Sequence, residues 1–149
     1  MPEPQPGAGE VVVNLHAAAL NHLDIWVRKG RPGLEMRFPH ILGSDGAGIV
    51  TGIGTGVAGI NVGDMVVISP ALNCGVCEFC RRGEHSLCPD FGIIGASCPG
   101  TFAEKISVPA ANVFAKPEHL DFDHAAALPV DHVTAWRMLV RRAQLIPDI

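Results

Sequence analysis

No run of about 18 apolar residues occurs in the sequence, so nothing in it suggests a membrane-spanning helix. Its N-terminus lacks the charged start, apolar stretch and small-residue cleavage site of a secretory leader, and the chain is expected to be cytoplasmic. Basic charge is sparse: 11 Lys and Arg stand against 15 Asp and Glu, and basic residues gather only at 28–31, 81–82 and 141–142. Without a basic stripe to follow phosphates, no nucleic-acid partner is expected. Internal repeats and low-complexity tracts are also missing, as is the βαβ alternation that announces a parallel sheet.

What is present is enough for a core. In 149 residues, 48% of them hydrophobic, one domain can close without a metal to hold all of it together. Five cysteines, four of them packed between 74 and 88, suit a reducing compartment where thiolates stay free to bind metal. A disulfide framework would leave one cysteine over.

A proline- and glycine-rich lead-in gives way to a strand candidate at 10–15. The stretch 22–29, closed by Gly30, reads as a short helix with Leu23, Trp26 and Val27 on one face. From 46 to 70 the pattern is strand, glycine-rich turn, strand, with Gly63-Asp64 marking a tight turn. A cysteine-bearing loop over 71–99 follows, then strand candidates at 102–108 and 112–115. The alanine run 125–127 is interrupted by Pro129, after which Val133, Trp136 and Val140 recur at helical spacing. The fold class is therefore mainly β with short helices, one near each end.

The most specific signal is C-x2-C-x2-C-x7-C, formed by Cys74, Cys77, Cys80 and Cys88. Ligands three residues apart can turn their sulfurs inward around one point, and zinc prefers four thiolates in a tetrahedron. A closed all-thiolate site leaves no position for water or substrate, so this zinc is expected to be structural rather than catalytic. The cluster would carry a charge of about −2 and needs donors around it, which backbone N–H groups together with Arg81 and Arg82 are expected to supply. An iron–sulfur cluster competes, because Cys88-Pro89 resembles the close of a ferredoxin motif, but such clusters draw on more closely spaced or more numerous cysteines. His85 lies in the same loop and reads as a solvated residue, and Cys98, without a partner of its kind, reads as a buried thiol. The run 54–59 matches G-x-G-x-x-G, yet INVGD follows it as a turn into another strand. A dinucleotide fingerprint needs a helix to begin within it, so that reading is refused.

PEPQPGAGEV, AALNHLDIWVRKG, ILGSDGAGIV, NVGDMVV, the cysteine loop, GTFAEKISVP and AALPVDHVTAWRML follow one another in an order that resembles the medium-chain dehydrogenases/reductases. The resemblance covers almost the whole chain. It implies the N-terminal, GroES-like catalytic domain of the zinc-type alcohol dehydrogenase and quinone oxidoreductase superfamily: a partly open β-barrel with a structural-zinc lobe at 71–99 and a C-terminal helix. It also implies a Rossmann cofactor domain after residue 149, so that these residues form a fragment or isolated domain. The full-length enzyme would then be a homo-oligomer acting on a small carbonyl, enone or alcohol with NAD(P)H.

Members with a catalytic zinc take its ligands from a cysteine before the first helix, a histidine and glutamate in G-H-E, and a cysteine ahead of the Thr-Ala-Trp segment. At those positions stand Asn21, Ser44-Asp45 and Val130, a set that does not suit zinc. The resemblance therefore points to the zinc-independent branch, in which a nicotinamide gives hydride to a quinone, enone or activated carbonyl. It places Asn21 in the nicotinamide–substrate cleft and Thr134 against the nicotinamide. The competing readings are a helix cap for Asn21 and a plain helix-face residue for Thr134. His22, Asp24, Asp45, Asp131 and His132 sit beside the vacated positions, but a ligand shifted by one helical residue points about 100° away. His16, His40, His119 and His124 have no ligand spacing and read as surface or packed residues. A different class stays open: a non-enzymatic zinc module that uses its cysteine loop as a contact.

Overall fold

Alternating valines build the first strand. β1 (Glu10–Ala19) carries Val11 and Val13 into full burial, and it runs four residues past the expected end because its alanines pair on with the next strand. The computed structural model describes residues 2–30 and 38–145. α1 (His22–Lys29) has the expected bounds and closes at Gly30, whose φ of 79° is readily adopted by glycine. Its buried members are Val27 and Asp24, not Trp26, which is 52% exposed. Asp24 goes inside because it accepts two backbone N–H groups there, which removes most of the penalty of burying a carboxylate.

β2 (Asp45–Ile53) and β3 (Met65–Ile68) follow, joined by the glycine-rich turn; Gly56 and Gly59 both have positive φ and no helix starts within the turn, so no dinucleotide fingerprint exists there. The cysteine loop is less bare than its sequence suggests. It is clamped at the base by the antiparallel pair β4 (Ala71–Leu72) and β5 (Gly92–Ile93), and it holds a short helix, α2 (Glu78–Arg81). β6 (Lys105–Pro109) and β7 (Val113–Ala115) complete a five-stranded antiparallel sheet in the order β6-β1-β2-β3-β7. The sheet is not closed, as expected for a partly open barrel.

Val11, Val13, Val50, Val66, Ile68, Ile94, Ile106, Val108 and Val113 form the core. Burial of each such side chain contributes about 1.5–3 kcal/mol. Ile94 brings the C-terminal leg of the cysteine loop into this core, with Leu72 and Cys98 packed against it. On the other side, α3 (Phe122–Ala126) lays Ala125 and Ala126 on Ala47 of β2. Pro129, expected as an interruption, opens α4 (Pro129–Trp136), where a missing N–H costs nothing, and a π-helical stretch continues over Arg137–Arg142. Val133 and Trp136 are exposed on α4.

Candidate functional site

Four sulfurs converge at the tip of the clamped loop. The Sγ atoms of Cys74, Cys77, Cys80 and Cys88 all lie within 4.8 Å of one another, with Cys74 and Cys80 4.0 Å apart. A tetrahedron with Zn–S bonds of about 2.3 Å has edges of about 3.8 Å, so the set fits the ion it was read for. Among the described residues no other group of three or more His, Cys, Asp or Glu converges in this way. His22, Asp24, Asp45, Asp131 and His132 do not converge as a group of three or more ligand atoms, and His85 is not one of the converging ligands.

Local backbone geometry makes the cluster. Cys77 caps α2 and its sulfur accepts the Cys80 N–H at 3.4 Å; the Cys77 N–H reaches Cys74 Sγ at 3.3 Å, and the Cys74 N–H reaches Cys88 Sγ at 3.4 Å. The expected arginine donors do not take part in this web. Arg82 is drawn outward to Glu78 at 3.8 Å and over the Phe79 ring, and the hydrogen bonds to the sulfurs among the described residues include none from Arg81. Asn73 is a partner that sequence reasoning missed: its Oδ1 accepts the Gly75 N–H at 3.2 Å and lies 3.5 Å from Cys80 Sγ. An Asn two residues before a glycine was the available signal.

The thiols are pulled apart electrostatically. N–H groups of Val76 and Cys77 hold Cys74 down to about 7, whereas burial pushes Cys80 up to about 12. A metal cation binds the thiolate form of each, so it would level this difference. Cys98 lies outside the cluster as a half-buried thiol, with its pKa raised by burial.

Asn21, Asp45 and Val130 are brought together at a second centre, and hydrogen bonds occupy it. Asp45, 2% exposed at the start of β2, accepts the Asn21 Nδ2–H at 3.0 Å on Oδ2 and the Val130 N–H at 3.1 and 3.3 Å. Val130 lies in the first turn of α4, where unpaired N–H groups favour an anion. Burial pushes the Asp45 carboxyl up to about 6; the Asn21 and Val130 hydrogen bonds work against that, and the charges of Asp131 and Asp24 add to it. Asp24 in turn accepts the Asn21 N–H at 2.7 Å and the Gly43 N–H at 3.0 Å. Gly43 has φ of 96°, and a Cβ there would sit 2.5 Å from Thr101 and Phe102, so only glycine delivers that N–H.

Ser44 is fully buried and donates its hydroxyl to the Ile94 carbonyl at 2.8 Å. Val130 contributes only its backbone, and the Asn21 amide is held by Asp45. These residues do not form a zinc donor set. Asn21 is the N-cap of α1 and forms a capping box with Asp24, while its Nδ2 crosses to Asp45 on β2, so the helix-cap reading and the contact to the second centre hold together. Thr134 is on an exposed turn of α4. His16 stacks on Phe122, His40 meets the Gly95 carbonyl at 2.9 Å and His124 pairs with Asp121, which makes them packed or surface residues.

Residues 7–118 match the alcohol dehydrogenase GroES-like domain. L-threonine 3-dehydrogenase of Pyrococcus horikoshii is 36% identical over 124 residues, covering 82% of this chain and 36% of the relative. NAD-dependent alcohol dehydrogenase of Sulfurisphaera tokodaii is 34% identical over 99% of this chain and 44% of its own length. Among solved structures, an NAD-dependent alcohol dehydrogenase superposes with a TM-score of 0.96 at 49% identity, covering 99% of this chain and 43% of that one. A cobalt- and zinc-bound thermostable alcohol dehydrogenase from Pyrobaculum aerophilum superposes at 0.83 with 39% identity, over 93% and 42%. The chain thus spans less than half the length of these relatives. An open β-barrel, a four-cysteine lobe compatible with structural zinc, and these matches together make this chain a member of the alcohol dehydrogenase GroES-like family, the N-terminal domain of the medium-chain dehydrogenases/reductases.

Proposed function

We propose that the chain is the substrate-side domain of an NAD(P)-dependent oxidoreductase acting on a small carbonyl, enone or alcohol, with one structural zinc and no catalytic one. Residues 1–149 form the domain, 71–99 its zinc lobe, and a Rossmann domain outside these residues holds the nicotinamide. The observation that carries the reading is the Asn21–Asp45–Val130 network, which fills with hydrogen bonds the positions where the zinc-dependent branch places ligands. When bound, the nicotinamide supplies or accepts hydride. Asn21 then offers a hydrogen bond to the substrate oxygen in place of the metal, and Thr134 packs against the nicotinamide ring.

Exposed Val133, Trp136, Met138 and Leu139 support the presence of a covering domain, since an apolar row on a terminal helix is ordinarily buried against something. Metal analysis and a turnover assay test the proposal. One zinc per chain is expected, with no NAD(P)H oxidation by these residues alone and turnover once a cofactor domain is joined. Two zincs per chain would overturn the zinc-independent mechanism, and robust turnover by the 149 residues would overturn the division of labour.

A further inference from the structure

Asn21 is pinned at both ends by buried carboxylates. Asp24 accepts its backbone N–H and Asp45 its side-chain amide, and the Oδ1 end of the side chain faces the Asp24 N–H in a capping box, which leaves the second Nδ2–H of this half-exposed asparagine as its open polar group among the described residues. An amide can present either its nitrogen or its oxygen, and the two faces have opposite chemistry: one donates and the other accepts. An ionised carboxylate only accepts. Among the described residues the hydrogen bonds to the Asp45 carboxylate all come from N–H groups, those of Asn21 and Val130, which is the pattern of a carboxylate reading the donor end of the amide.

Resting on the oxidoreductase reading above, we propose that Asp45 is the positioning residue for Asn21. Its carboxylate holds Nδ2 toward β2, so that the remaining Nδ2–H, not Oδ1, is the group offered to the carbonyl or alkoxide oxygen of the substrate. Val130 ties the same carboxylate to α4, so the substrate side of α1 and the start of α4 are set by one group. Protonation of Asp45 gives it an O–H donor and permits the amide to turn over, replacing a donor to the substrate by an acceptor. The charges acting on Asp45 are Asp24 on α1 and Asp131 on α4, both carboxylates that favour its protonation.

The 15N-labelled chain tests the orientation directly. The Asn21 side-chain NH2 and the Val130 amide should move together in NMR spectra with one midpoint near the Asp45 value of about 6, and Asp45→Asn should abolish both titrations. Different midpoints, or an Asn21 titration that persists in Asp45→Asn, would overturn the proposal. Where Asp45→Asn does not fold, Asn21→Ala decides: loss of a hydrogen bond to the carboxylate should shift the Val130 midpoint upward, and an unmoved midpoint counts against the contact.

In the polypeptide that joins this domain to its cofactor domain, Asp45→Asn should lower kcat by about 10- to 100-fold, the scale of a misaligned oxyanion donor. KM for the nicotinamide should stay within about twofold and the acidic limb of the kcat profile should flatten, because Asp45 acts on the substrate oxygen through Asn21. A folded Asp45→Asn enzyme with unchanged kcat overturns the positioning role. No turnover in the wild-type polypeptide overturns the functional reading, and the substrate role with it, while the NMR arm still decides the amide's orientation.

Discussion

The cysteine lobe and the Asn21–Asp45 centre solve the same local problem with opposite chemistry. In the lobe, four sulfurs meet within 4.8 Å of one another, and their partners are weak N–H···S contacts of 3.3 to 3.4 Å. At the other centre, two carboxylates accept four N–H groups at 2.7 to 3.1 Å, beneath a sheet whose core is built of valine and isoleucine. Acceptor lone pairs left underpaired call for a cation; acceptor lone pairs already taken up by N–H groups compete with one. A ligand-rich position and a ligand-poor position are thus told apart by how far hydrogen bonding has already satisfied them.

The contrast can be broken most forcefully at the lobe. Cys80→Ser should lower zinc affinity by about 100-fold or more, since structural zinc binding carries about 10–16 kcal/mol over its ligands. Hydrogen exchange should then show lost protection around 73–91 and retained protection at Val11, Val13 and Ile68; collapse of both would mean the core depends on metal. Next in size, Asp45→Ala leaves the Asn21 and Val130 donors without their acceptor and should destabilise the domain by about 2–4 kcal/mol in denaturant unfolding, at unchanged zinc content.

The pH dependence is smaller and has a definite sign. Asp45 rises from an ordinary 3.8 to about 6 on folding, so folding favours its neutral form relative to the unfolded chain although the carboxylate is ionised at neutral pH. Its contribution to stability is fully present below 3.8 and is lost as pH rises through about 6. The wild-type minus Asp45→Asn difference should therefore fall by about 1–2 kcal/mol across that interval, after allowance for solvent screening. A flat difference would mean that the carboxyl is solvated after all. Thr134→Ala sharpens the picture at the small end: its melting temperature should match wild type, as an exposed site changes stability by less than about 0.5 kcal/mol, while KM for the nicotinamide rises several-fold in the joined polypeptide.

Elements with strong local punctuation were legible in the sequence. α1 is bounded by an asparagine and a glycine, and both ends fall where those residues put them. β1 extends beyond its sequence signal because it ends in alanines, which have little strand preference and are held there by Ala47, Gly46 and Asp45 across the sheet. β4 and β5 are two residues each and have no local period to detect; they exist because the loop base packs on Ile94. At the metal lobe, spacing alone identified all four sulfurs, since thiolate geometry is local. At Asn21 and Val130 the sequence marked the positions but not the interaction, because Asp45 bonds Val130 through a backbone N–H across 85 residues of chain, which no side-chain pattern records.

The Ser44 hydroxyl, buried and bonded to the Ile94 carbonyl, joins the two centres mechanically. Thr101 N–H to the Gly43 carbonyl and His40 to the Gly95 carbonyl are further stitches along the same seam, so the leg of the lobe and the floor beneath Asp45 form one wall. A metal bound at the far end of that wall would act as a distant tensioner, because slackening the lobe would loosen the Ile94 and Gly95 stitches that stiffen the floor beneath Asp45.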